Sequence, residues 1–471
     1  MNARALVLAL GVAGCATVGP EFERPDTAAV TGDRFVRAGG ADAAEALPAA
    51  RWWTRYGDPA TDALVARALT HNLDLKIAAA NVLEAEALRR VQTGNRKPAV
   101  DAGLDAGRGF TSSDNGRRYT SNLRLAATVS WQADLYGRLR RSERAATDDL
   151  FAQMATRDAL VQSLIAAVVR QRVAIAVAER RLALARAVVE TRRRTLEIVE
   201  RRYNQGVEGI SSVDVRLARE NLAAAESDVP AREQSVALAG HALDVLLGRK
   251  PGATEPRAVG LAEVPPLTRP ALAVPAALVD QRPDLRAAEF RVAASTERIG
   301  VAIADLYPDL TLTGNAGWQG SEFSRFFSID RLLLDIAGRL AMRLFDGGQR
   351  EANIDAAKAR LEAAAQSYAA DVLDAVREVE DALVRERYLR ERLAAIERRL
   401  ESARAAETLA RDRYGRGLES LLTVLETERR RRNAEDLLLI QQGLLWDARI
   451  DLHLALGGDW LEQDASEPAE S

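Results

Sequence analysis

The chain has 471 residues, 47% of them apolar, which is enough for a substantial core and too much for a disordered protein. Its charge is dense at 28% but balanced at −3, so nothing favours nucleic acid as a partner. One cysteine (Cys15), three histidines and three methionines exclude an intrachain disulfide and offer no zinc, haem or copper site, so no cofactor is expected.

The Arg runs Arg192–Arg194 and Arg429–Arg432 lie in acid-rich stretches and read as solvated helix faces. No phosphate-cradling glycine loop, HExxH or GxSxG motif is present, and an enzyme is not expected.

The N-terminus reads as an export signal. Arg4 supplies a positive charge, Ala5 to Val12 a short apolar core, and Val12-Ala13-Gly14-Cys15 a junction. The core is too short to span a bilayer as a helix. The junction resembles the lipobox of bacterial lipoproteins, which implies that Cys15 becomes the lipidated first residue; Ala16, not being Asp, implies sorting to the outer membrane. An ordinary secretory signal with a chance cysteine is the competing reading.

Residues 16–50 are loop-like. A helix is expected from Pro59 to Gln92, with Asp58 as its cap and Pro59 at its first position. Two strands follow. Ala99 to Phe110 is short and glycine-rich, and a polar turn spans Thr111 to Arg118. Beyond it Leu123, Leu125, Ala127, Val129 and Trp131 alternate with Arg124, Ala126, Thr128 and Ser130, a period of two.

Arg138 to Gln205 then holds 68 residues without glycine or proline. As one helix it would be roughly 100 Å long at ~1.5 Å per residue. Met154, Val161, Val168, Ile175, Leu182, Val189, Leu196 and Tyr203 recur every seven residues, which implies supercoiling against partner helices. The seam three residues on is mixed (Leu164, Gln171, Ala178, Ala185, Arg192, Val199) and suits a wall of packed helices with one wet side. A free-standing coiled-coil dimer is the alternative. Gly206 and Gly209 end this rod, and a return helix is expected from about Ser212 to Leu247, crossing Pro230.

The pattern then repeats. Asp74-Leu75-Lys76 matches Asp284-Leu285-Arg286, Pro98 matches Pro308 and Gly137 matches Gly347, all offset by 210. Tyr203 and Gly206 match Tyr414 and Gly417 at 211, and Leu247-Gly248 matches Leu456-Gly457 at 209. A second rod, Gln349 to Tyr414, keeps Val372, Val376, Val379, Leu383, Leu389, Leu393, Ile396 and Leu400 in four-three spacing. The second strand pair is expected at Leu310 to Trp318 and Leu334 to Phe345. Constant offsets imply tandem duplication. The expected division is a signal peptide at 1–14, a first repeat at 15–250, a proline-rich linker at 251–281, a second repeat at 282–460 and a tail at 461–471, each repeat being helix, two strands, long helix and return helix.

Each strand is close to the ten residues that cross a bilayer when tilted. A sheet in lipid must close, and four strands cannot. Several chains are therefore expected to share one barrel, with Arg124, Arg339 and Arg343 toward a wet lumen. A soluble four-stranded sheet is the alternative.

An ordered set of motifs carries a family resemblance: Trp52-Trp53…Asp58-Pro59, Ser130-Trp131…Asp134-Leu135-Tyr136-Gly137-Arg138, Arg282-Pro283-Asp284-Leu285-Arg286, Tyr307-Pro308…Leu310, Leu344-Phe345-Asp346-Gly347-Gly348, Glu378-Val379-Glu380-Asp381-Ala382-Leu383, Arg413-Tyr414…Gly417 and Ala455-Leu456-Gly457-Gly458-Asp459-Trp460. The chain resembles the TolC-like outer membrane factor family in its lipoprotein (NodT-type) branch. The resemblance implies a mostly helical fold with a transmembrane β-barrel portion. It implies a homotrimer, with a twelve-stranded barrel in outer membrane lipid continuing into a periplasmic α-helical barrel. It also implies a periplasmic adaptor and an inner-membrane pump as partners, with this chain as the exit duct for small molecules.

By the same resemblance, the Tyr-x-x-Gly turns (Tyr203 and Gly206, Tyr414 and Gly417) dock the adaptor, and Glu426, Thr423 and Asp214 fall near the family's periplasmic gate. Thr423 lacks the usual charge, and Glu419 stands where some members carry an Arg tether. Each carboxylate also reads as part of a solvated helix face. A type I protein-secretion duct and a non-channel coiled-coil envelope lipoprotein are the competing functions.

Overall fold

The computed structural model describes residues 17–27, 31–32, 35–36, 51–56, 58–113, 116–207, 209–253, 278–321 and 326–458. The expected signal, Cys15, most of the linker and the tail lie outside the described residues. In chain order the elements are α1 (Pro59–His71), α2 (Leu73–Asn95), β1 (Ala99–Ser113), β2 (Gly116–Ala133), α3 (Arg138–Asn204), α4 (Ser212–Leu246), α5 (Leu278–Gln281), α6 (Pro283–Ala304), β3 (Asp309–Gly320), β4 (Leu332–Ala341), α7 (Gln349–Gly415) and α8 (Leu421–Ala455). The chain divides into two compact units. One is Met1–Asp26, Ala80–Ala155 and Arg286–Ala370, and the other is Thr27–Ala79, Thr156–Leu285 and Asp371–Ser471.

The first of these units carries the sheet. Its strands run β1-β2-β3-β4, every neighbour antiparallel. β1 and β2 are longer than expected, at 15 and 18 residues, and take in most of the polar stretch from Thr111 to Arg118. Pairing runs unbroken to Ser113↔Gly116, and Phe110 packs on Tyr119 at 5.2 Å, a cross-strand contact that composition alone does not reveal. β4 ends four residues before the expected Phe345, because its pairing with β3 stops at Asp309↔Ala341. Arg343 therefore lies past the strand, where its carbonyl accepts from the Arg350 guanidinium.

The start of α3 is anchored in the same unit by Arg141, whose side chain is fully buried. Its guanidinium donates to the Pro20 carbonyl (2.9 Å), the Gly19 carbonyl (3.2 Å), Glu21 (3.1 Å) and Glu297 (3.0 Å). Four acceptors offset the cost of burying that charge. Gly300 on α6 leaves the room: a Cβ there would overlap the Arg141 side chain.

In the second unit one core joins Trp52, Trp53, Val65 and Ala68 to Val161, Ile165, Val168 and Ile175 of α3 and to Leu243, Leu247 and Ile450. The seven-residue seam of α3 is thus buried through its middle, while Met154 and Tyr203 at its ends are exposed. Of the mixed seam, Leu164 is buried and Gln171 and Ala178 are half-buried. Ala185, Arg192 and Val199 are buried, the arginine because Glu428 of α8 meets it at 3.3 Å.

The expected helix from Pro59 to Gln92 is two helices, broken at Asn72. There ψ turns to 135°. The Asn72 side chain accepts from the Leu75 N–H at 3.0 Å and donates to the Leu246 carbonyl at 3.0 Å. The second repeat breaks at Arg282, 210 residues on, and Arg282 donates to the Ala455 carbonyl at 3.2 Å, 209 beyond Leu246. Each repeat thereby fastens its return helix to its first helix pair. Gly248 and Gly457 follow those return helices with φ of 63° and 75°. A Cβ on Gly248 would overlap the His71 carbonyl, and one on Gly457 would lie 3.0 Å from the Gln281 carbonyl.

Candidate channel wall and helical tips

The register sorts the sheet into two faces. Val100, Ala102, Leu104, Leu123, Leu125, Ala127, Val129, Trp131, Leu310, Leu312, Trp318, Leu334, Ile336 and Leu340 share one, and Asp101, Asp105, Arg124, Thr128, Gln132, Asn315, Gln319, Asp335 and Arg339 share the other. One row of the polar face is polar in all four strands: Asp101, Thr128, Asn315, Asp335; the face also carries Leu333. Thr128 donates to Asn315 at 2.7 Å, and Asn315 donates to Asp335 at 2.8 Å. Arg124 and Arg339 take the polar face, as their alternation predicts. Among the described residues α3 alone has a stretch long and apolar enough to cross a bilayer as a helix, and most of it is buried.

The rods end in matching turns within the second unit. The Gly206 N–H donates to the Tyr203 carbonyl (3.0 Å) and the Val207 N–H to the Arg202 carbonyl (3.1 Å). In the second copy Gly417 bonds Tyr414 (3.1 Å) and Leu418 bonds Arg413 (2.9 Å). Both are Schellman caps, and Gly206 and Gly417 hold the left-handed conformation the cap requires (φ 67° and 76°). The repeated Tyr-x-x-Gly is therefore a helix stop first. Each turn also displays two exposed apolar side chains, Val207 with Val213 and Leu418 with Leu422, which the sequence reading did not single out.

The return helices start alike. Ser211 and Ser420 accept from the N–H of the residue three on, Asp214 and Thr423. Asp214 completes a capping box, accepting from the Ser211 N–H at 2.8 Å and its hydroxyl at 2.7 Å. Thr423 donates to Glu419 at 3.0 Å, and Glu419 also accepts from the Ser420 N–H at 3.2 Å. Those bonds, with Arg413 nearby, hold the Glu419 carboxyl below its ordinary range. Of the expected gate residues, Asp214 is thus occupied as a cap, and the Thr423 hydroxyl is held by Glu419.

Glu426 is different. It accepts from Arg430 at 2.8 Å and from Arg429 at 2.9 Å, and the two guanidiniums hold its carboxyl below the usual value. All three groups stay in solvent contact. Beneath the turns, Val199, Val215, Ala218, Leu421 and Leu425 form one apolar cluster with Leu196, Ile210 and Tyr414 against it. All four long helices meet there, and the Arg202 guanidinium sits 4.9 Å from the centre of the Tyr414 ring.

A two-faced sheet whose edge strands have no partner among the described residues, together with duplicated rods whose turns are capped alike, points to a membrane-channel subunit. The chain belongs to the outer membrane efflux protein family: that family's model matches residues 64–249 and 274–458. It is 29% identical to the toluene efflux pump outer membrane protein TtgI of Pseudomonas putida, covering 88% of each chain. It is 27% identical to the cation efflux system protein CusC of Escherichia coli, covering 96% of this chain and 97% of that one. Its fold superposes on the outer-membrane channel OprN with a TM-score of 0.87 at 30% identity, covering 94% of this chain and all of that one. The protein is an efflux channel of the outer membrane, and the four strands are its share of the barrel wall.

Proposed function

We propose that three copies of this chain close one twelve-stranded barrel and that the resulting duct carries small molecules from an inner-membrane pump, through a periplasmic adaptor, to the cell exterior. One observation carries the reading. The sheet has an apolar face, a polar face and two edges, β1 and β4, with no partner strand among the described residues. In lipid those edges need partners, and a second and third copy supply them in a closed ring. The apolar face then meets lipid and the polar row faces water. Relatives named for toluene and for cations share the architecture, which supports a duct whose pump selects the cargo.

Glu426 is the gate residue we favour, because Asp214 is engaged as a cap and the Thr423 hydroxyl donates to Glu419. The turns that display Val207 and Leu418 are the docking points for the adaptor. Cys15 carries the lipid that supplements the barrel's own hold on the membrane.

Light scattering of the detergent-solubilised protein should give three chains per particle, and planar-bilayer recording should give discrete conductance steps. A folded single-chain particle would sink the duct. A three-chain particle that never conducts would leave the coiled-coil envelope lipoprotein as the better reading.

A further inference from the structure

Inside one chain, the tip junction is closed by a cation over a ring. Arg202, the third residue from the end of its rod in the cap, covers Tyr414, the second residue from the end of the other rod. Duplication places the same two residue types at the reciprocal positions, Arg413 and Tyr203. Both caps have the same hydrogen bonds, so Arg413 leaves α7 as Arg202 leaves α3. Yet the reciprocal pair is open. Tyr203 is 45% exposed, and the Arg413 side chain is 51% exposed, with the Glu419 carboxylate 3.7 Å away.

We infer that Arg413 of one copy covers Tyr203 of the next, so that each junction between copies repeats the junction within a chain. This rests on the three-copy reading above. Cyclic symmetry makes the contact head to tail, and three such contacts close a ring. The flanks of the two junctions differ. Positions equivalent to Val199, Leu421 and Leu425 of the in-chain cluster are Ala410, Ser212 and Arg216, while Val215 is matched by Val424. Ala410 and Val424 are already buried within one chain. The in-chain joint thus has leucines where the joint between copies has Ser212 and Arg216, so the latter relies more on the Arg413–Tyr203 contact.

Cross-linking tests this in native membranes. Tyr203→Cys/Arg413→Cys, treated with a short bismaleimide, should give bands at two and three chain masses on a reducing gel. Neither single variant should give them, which also controls for Cys15. Arg202→Cys/Tyr414→Cys should link within one chain and run as a monomer. A three-chain particle whose two introduced thiols both react with a monofunctional maleimide, yet which yields no interchain band, overturns the pairing while leaving the three-copy duct standing. A one-chain particle overturns both.

A second measurement needs no cysteine. Arg413→Glu and Tyr203→Ala should each lower the temperature at which the oligomer dissociates in detergent, and Arg413→Lys should restore most of it. Combining the two losses should cost no more than the larger one, since they remove one contact. Fully additive losses contradict a shared contact.

Discussion

Arg192 of α3 and Glu428 of α8 form an ion pair at 3.3 Å, with Glu428 fully out of solvent and Arg192 nearly so. Arg432 also bonds Glu428, and Arg411 lies 3.6 Å from it. Burial pushes the Arg432 guanidinium down to about 10 and lowers that of Arg192 as well. Glu428 is the carboxylate these guanidiniums share, and removing its charge leaves the buried Arg192 and Arg432 without that partner in a poor solvent. Glu428→Gln keeps the shape and removes the charge. It is expected to cost about 3–5 kcal/mol, the usual range for breaking a buried pair. Thermal unfolding in detergent should show this as a clear fall in midpoint. In a double-mutant cycle with Arg192→Gln, the combined loss should be smaller than the sum, and simple additivity would mean the pair is not coupled.

Asp148 lies near the start of α3, in the sheet-bearing unit. Burial, with Glu297 and Asp149 adding like charge, pushes its carboxyl from 3.8 up to about 6. A folded value above the unfolded one means that the folded chain holds a proton the unfolded chain releases. Stability contributed by this group is therefore present below about 4, declines as pH rises through that window, and is gone above about 6. Asp148→Asn should raise the unfolding midpoint at pH 8, with the gain shrinking to little by pH 4. A gain that is flat across that range would mean the carboxyl titrates normally.

Gly248 and Gly457 need both a left-handed backbone and an absent side chain. The backbone strain of an alanine there costs about 1–2 kcal/mol, before any overlap with a carbonyl is counted. Gly248→Ala should be the worse of the two, since its Cβ meets the His71 carbonyl more closely than the Gly457 Cβ meets Gln281. Chemical denaturation of the two variants side by side checks the order, and equal loss contradicts it.

Glu426→Gln removes one negative charge per copy and releases Arg429 and Arg430 from it. If Glu426 lines the narrow end, the duct should become less selective for cations and less sensitive to multivalent cation block. Closure should persist, since like carboxylates in a ring repel and cannot be what holds the tips shut. Reversal potentials under a salt gradient measure the change. The control must be a carboxylate that does not bond the start of α8, as Glu419 does. Glu391→Gln, exposed on α7, serves instead and should leave permeation as it was. Wild-type selectivity in Glu426→Gln would remove it from the constriction.

Labelled palmitate should enter the wild-type chain and not Cys15→Ser, as the Val12-Ala13-Gly14-Cys15 junction requires. Equal labelling of the two would refute the anchor. Because the strands themselves hold the chain in lipid, the variant should still fractionate with the outer membrane.

What could be read ahead of the structure followed from periodicity and punctuation. The rods came from two glycine- and proline-free stretches, and the observed bounds, Arg138–Asn204 and Gln349–Gly415, differ by one residue at each C-terminal end. The two faces of the sheet came from strict alternation. What escaped depends on partners distant in sequence. The break at Asn72 is set by the Leu246 carbonyl, 174 residues away. Arg192 reads as a surface charge until Glu428 is beside it. Asp214 has the spacing of both a cap and a gate, and only the Ser211 hydroxyl, 2.7 Å from its carboxylate, gives the cap priority.

The strand lengths carry one more consequence. β1 and β2 have 15 and 18 residues, whereas β3 and β4 have 12 and 10. A tilted strand crosses the bilayer in about 9–11 residues. The rod follows the end of β2 at Ala133, so the surplus of the first hairpin lies at its opposite end, around Ser113 and Gly116. With the rods in the periplasm, that end is outside the cell. The strand ladder of the first hairpin thus continues past the bilayer on the outer side, and changes around Ser113 and Gly116 should leave the wet row from Asp101 to Asp335 undisturbed.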